Sequence, residues 1–70
     1  MAHERYSVKT TNRMKLMMSD QRTNKRSEAI ELLAAEFKKA AEAQSDMAAG
    51  WVFDHELGDT IASFTIEFPV

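Results

Sequence analysis

From Arg5 to Met18 the chain alternates. Tyr6, Val8, Met14, Leu16 and Met18 share even positions with Thr10 and Asn12, whereas Arg5, Ser7, Lys9, Thr11, Arg13 and Lys15 fall on odd ones. A period of two is that of a strand with one apolar and one wet face. One strand over residues 6–18 would run about 40 Å at ~3.3 Å per residue. The helix that follows covers only about 27 Å at ~1.5 Å per residue. The mismatch predicts a turn around Thr11-Asn12-Arg13 and hence two strands; one long bent strand is the alternative. A three-residue turn there would set Lys9 against Lys15, an unfavourable like-charge pair.

Residues 19–28 are polar and turn-rich and lead into a helix, with Asn24 or Ser27 as the candidate N-cap. Residues 27–44 hold no Gly or Pro and are rich in Ala, Glu, Leu and Lys, all good helix formers. Ile30, Leu33, Ala34, Phe37 and Ala41 recur at three- and four-residue spacing, which predicts one apolar stripe for docking.

The stretch from Trp51 to Val70 predicts a β-hairpin. Gly58-Asp59 suits a two-residue turn. That turn would pair Leu57 with Thr60, His55 with Ala62, Phe53 with Phe64 and Trp51 with Ile66, all on one face, with Phe68 extending it. Val52, Asp54, Glu56, Ile61, Ser63, Thr65 and Glu67 would form the other face, and Pro69 would end the strand. The expected fold is α+β: one amphipathic helix on one face of a small antiparallel sheet, ββαββ, or βαββ if the first strand is continuous.

Seventy residues make one small domain, residues 1–70, with residues 1–4 expected to fray. A core this small is marginal, and small scaffolds lean on disulfides, metals or a second chain. There is no cysteine, and His3 and His55 alone do not make a zinc site, so neither metal nor cofactor is expected. Good packing or self-association remains, and Val52, Ile61 and Met17 on the outer face are compatible with a homodimer. No segment has the length and apolarity of a signal peptide or membrane span, so a soluble, cytoplasmic protein is expected.

The net charge of −2 hides an asymmetry: residues 1–26 carry +5, residues 27–39 carry −1 and residues 40–70 carry −6. Arg13, Lys15, Arg22, Lys25 and Arg26 are therefore the candidate contacts for nucleic acid or an acidic protein. Asp54, Glu56, Asp59 and Glu67 form an alternative acidic face. The basic strand face as read here has no aromatic residue, which weakens single-strand binding, and its cations can pair with acids across the sheet. No phosphate loop, nucleophile elbow or HExxH occurs, and a Ser63–His55–Asp54 triad fails because His55 falls on the other face. These features point to a small non-enzymatic regulatory or accessory protein that binds another protein. The size also fits inhibitors of the kind phages and mobile elements carry. The alternative is a nucleic-acid-binding module using the basic N-terminal third.

Overall fold

A computed structural model describes residues 4–43 and 45–67. Its elements are β1 (Tyr6–Asn12), β2 (Met17–Thr23), α1 (Arg26–Ala43), β3 (Met47–Asp54) and β4 (Asp59–Thr65). The strands form one antiparallel sheet in the order β2-β1-β3-β4, with α1 across one face. The fold is ββαββ, and the single bent strand is not adopted. Of the end expected to fray, residues 1–4, all but Glu4 lie outside the described residues, as do Gln44, Phe68, Pro69 and Val70.

The first turn falls later than expected, at residues 13–16. The Asn12 carboxamide oxygen accepts from the Met14 and Leu16 N–H groups at 2.9 and 3.0 Å. Lys15 takes the left-handed conformation (φ 66°), and its N–H reaches the Asn12 carbonyl. The resulting register sets Lys9 beside Asp20 rather than Lys15, so the like-charge pair is avoided. A register shift beyond Thr10 places Met17 opposite Thr11.

The second hairpin departs from expectation in a way that turns β3 over. Its loop is four residues, His55 to Gly58, rather than Gly58-Asp59. Gly58 (φ 71°) donates its N–H to the Asp54 carbonyl at 2.7 Å. Asp54 pairs with Asp59 and Phe53 with Thr60; after a bulge Val52 pairs with Ala62, Trp51 with Ser63 and Gly50 with Phe64. Neither Phe53–Phe64 nor Trp51–Ile66 is formed. Gly50, Val52 and Asp54 therefore face the helix, while Trp51 and Phe53, both half-buried, face away from it. Gly50 makes this possible. A Cβ there would lie 2.5 Å from the Phe64 ring and 3.2 Å from the Thr10 methyl group, so the missing side chain is the seat of Phe64. Gly50→Ala is expected to displace that ring, loosen its edge contact with Phe37 and cost about 1–3 kcal/mol. Chemical denaturation checks this, and a Gly50→Ala/Phe64→Leu double variant should recover part of the loss.

The helix also docks on a different stripe. Ala29, Leu33, Glu36 and Ala40 are its buried positions; Leu33 alone was in the expected set. Ile30 and Phe37 remain 40% and 46% exposed, and Ala34 and Ala41 are exposed too. Two alanines on the docking face let the helix come close to the sheet. Glu36 can join them because its carboxylate accepts from the Gln21 amide at 3.2 Å and pairs with Lys39 at 3.6 Å. Phe37 leans over β4 and meets Phe64 edge-on, ring centres 5.1 Å apart. The core comprises Tyr6, Val8, Ala29, Leu33 and Val52, with Leu32, Ile61, Ala62 and Phe64 against it. Val52 is thus a core residue, not part of an outer apolar face. Neither expected N-cap is used: Lys25 supplies the first helical carbonyl, to Ala29, and Asn24 accepts from the Arg5 N–H.

Candidate functional site

The five candidate cations do not make one patch. Arg13 and Lys15 sit in the β1–β2 turn, whereas Arg22, Lys25 and Arg26 lie at the opposite end of that hairpin, beside the start of α1. From the Thr11–Met17 pair to the Tyr6–Thr23 pair is five or six residues, roughly 20 Å at ~3.3 Å per residue. At the second end Arg22 is engaged with Asp20 at 3.5 Å, a half-exposed contact of small energetic weight.

At the turn the cations have apolar company. Met14, Leu16, Met17 and Met18 are four of the seven large apolar side chains left exposed among the described residues; Met14 is 78% exposed. No acid occurs between Glu4 and Asp20. The turn is held in shape by the two Asn12 side-chain bonds and by the Arg13 N–H on the Asp46 carbonyl at 3.1 Å. Charge alone singles out Arg13 and Lys15, whereas strict alternation would put Met14, Leu16 and Met18 on the core face. The alternation misled because residues 13–16 leave the strand as a turn, which takes Met14 and Leu16 off the sheet, and because the register shift past Thr10 falls at Met18.

The acidic set also divides. Asp54 was expected to point outward beside Glu56; instead it is completely buried. Arg5 grips it through Nε and Nη2, both at 3.0 Å, and reaches Glu56 through Nη1 at 3.3 Å. The Glu56 and Leu57 N–H groups donate to the same carboxylate at 2.9 and 3.3 Å. The Arg5 hydrogen bonds, helped by these two amides, hold the Asp54 carboxyl down at about 2 against an ordinary 3.8, although burial opposes them. The same contact raises Arg5. Asp54 is a clamp for the His55–Gly58 loop, not a surface acid. Glu56, Asp59 and Glu67 are exposed and scattered, at the loop, the start of β4 and beyond its end.

No family model, curated protein or solved structure was found to match the chain. Its chemistry must therefore be read from its own side chains. Among the described residues the closest approach to a catalytic pair is Ser7 Oγ and His55 Nε2, 2.6 Å apart. Ser7, however, is completely covered, so a substrate cannot reach Oγ. His55 was expected among core neighbours; it is exposed, with its ring edge-on to Phe53 at 4.9 Å, and it latches the loop to β1. A shallow cleft beside it is lined by Glu4, Arg5, His55 and Glu56, whose charges oppose one another. Among the described residues no group of three His, Asp or Glu side chains is placed to hold a metal ion, and no helix is long and apolar enough to cross a membrane. The arrangement with the most to offer a ligand is the β1–β2 turn with the start of β2: exposed Met14 and Leu16 interleaved with two cations on a braced backbone, and exposed Met17 and Met18 directly after them.

Proposed function

We propose that this chain is a small non-enzymatic regulatory or accessory protein that acts by binding another protein, with the β1–β2 turn as its contact. The observation that supports this is the concentration of exposed Met14 and Leu16 in the turn, and of Met17 and Met18 at the start of β2, beside Arg13 and Lys15. Exposed apolar side chains cost nothing to desolvate, and methionine adapts its shape to a partner. The Asn12 brace fixes the turn beforehand and reduces the ordering cost of association. A convex turn of this make-up fits an apolar groove with an acidic rim; the rim would meet Arg13 and Lys15 and speed encounter. A cytoplasmic site of action goes with this reading, which needs neither a disulfide nor an anchor.

The test is a photo-reactive residue placed at Met17 and, separately, at Glu28 on α1. A single protein cross-linked from the turn but not from the helix is the expected result. Capture from the helix alone, or partition of the protein onto anionic vesicles in place of any cross-link, would refute the assignment. Against the captured partner, Leu16→Ser with Met17→Ser is expected to weaken binding at least ten-fold. The thermal midpoint should stay nearly unchanged, since exposed substitutions typically alter stability by about 0.5 kcal/mol or less.

A further inference from the structure

We infer that the open face of the sheet binds single-stranded nucleic acid, with Trp51 and Phe53 as stacking platforms and Lys9 and Arg22 as phosphate partners. The site is separate from the β1–β2 turn and does not depend on the reading given for it.

The register lays out this face in rows. One row runs Arg22, Ser7, Phe53, Thr60 across the four strands, and the next runs Asp20, Lys9, Trp51, Ser63. Each row has an aromatic ring on a central strand, a cation toward the β2 edge and a hydroxyl toward the β4 edge. The expected face of cations without aromatics is not what the fold produces: the inversion of β3 brings both rings among the cations. Lys9 is the direct neighbour of Trp51, about 4.8 Å away by strand spacing. Arg22 is two strands from Phe53, near 10 Å by the same spacing. Base and phosphate of one nucleotide are separated on that scale.

Trp51 and Phe53 are two residues apart, about 6.8 Å along β3 at ~3.4 Å per residue. Stacked bases repeat every ~3.4 Å along one strand, so neighbouring bases must unstack to occupy one ring each. This favours a single strand over a duplex, whose base faces are hidden. Both residues are half-buried and retain surface to offer, and a base on Phe53 must share that ring with His55, which lies edge-on against it and bonds Ser7 beside it. Asp20 is the one acid in these two rows, and its contact with Arg22 is long and solvated, so a phosphate can compete for the guanidinium. Stacking on aromatic side chains tolerates any base, so the ligand class is single-stranded RNA or DNA without strong sequence preference.

Trp51 is the protein's single tryptophan and reports this face directly. The experiment titrates the full chain with poly-uridine and poly-thymidine oligonucleotides, following tryptophan emission and the anisotropy of a labelled oligonucleotide. The expected result is saturable quenching by at least one of them, weakening as salt rises. Trp51→Ala should reduce affinity about ten-fold or more, and Trp51→Phe should restore most of it. Lys9→Gln, which removes the charge without setting a second acid beside Asp20, should weaken binding with little change in the thermal midpoint. Unchanged emission and anisotropy at low salt would overturn the proposal. So would equal affinity for a duplex, or binding that falls with Lys25→Glu and Arg26→Glu but not with Trp51→Ala. Emission that shifts with protein concentration alone, together with dimers in light scattering, would assign the face to a second copy instead.

Discussion

Leu33→Ala is expected to destabilise the protein by about 2–5 kcal/mol, the range for a large-to-small change at a well-packed site. A domain of this length has a total stability of about 4–10 kcal/mol at ~0.05–0.15 kcal/mol per residue, so the variant should be substantially unfolded at modest denaturant. Leu33 is the one large buried side chain that α1 sends into the core, since Ala29 and Ala40 fill the other apolar docking positions. Ile30→Ala, at a position 40% exposed, should cost about 1 kcal/mol or less. Urea melts of the two variants give the ranking. Equal or reversed losses would mean that the helix docks on Ile30 and Phe37 after all.

Asp54→Asn should produce the other large effect, and one with a pH signature. The carboxylate holds the two Arg5 nitrogens and the Glu56 and Leu57 amides together. An asparagine turns one acceptor into an N–H₂ that faces the guanidinium. The thermal midpoint at neutral pH is expected to fall by several degrees, with the His55–Gly58 loop losing amide protection first. The sign of the pH dependence follows from the lowered carboxyl pKa, about 2 in the folded chain against an ordinary value near 4. The unfolded chain takes up the proton first on acidification. The stabilisation is therefore complete above about pH 5 and is lost as pH falls through 4 towards 2. Wild type and Asp54→Asn should differ most at neutral pH and converge at pH 2. A constant gap across that range would show that Asp54 carries no titrating contact.

The fold class could be read from local signals. An uninterrupted run of helix formers and two alternating segments with turn residues leave few arrangements open. What the pattern concealed was which side of each element faces inward. In β3 two sets compete: Trp51 and Phe53 on odd positions, Gly50, Val52 and Asp54 on even ones. Hydrophobicity favours the first, yet the second is buried, because Gly50 makes room for Phe64 and Asp54 is neutralised by a residue 49 positions away. In α1 the larger Ile30 and Phe37 drew attention from Ala29 and Ala40, although a sheet-docked helix gains as much from close approach as from bulk. Two signals pointed the right way: a glycine inside a strand, which marks close packing, and an aspartate four residues before a glycine, which suits a capped four-residue loop.

The candidate contacts follow the same division. Arg13 and Lys15 stood out through charge, but their apolar neighbours were assigned to the core by a period that the turn at residues 13–16 and the bulge past Thr10 interrupt. Arg22 belongs to a strand that the sequence read as loop, so its place in a row with Phe53 could not be anticipated. Lys25 and Arg26 border the helix start and remain exposed.

Affinity capture from nuclease-treated lysate, with wild type and the Leu16→Ser/Met17→Ser variant side by side and the retained proteins identified by mass spectrometry, decides whether the β1–β2 turn binds a protein. One protein is expected to be held by wild type and lost from the variant, both baits being equally folded. The same proteins on both baits, or none once nucleic acid is removed, would contradict the turn as the contact.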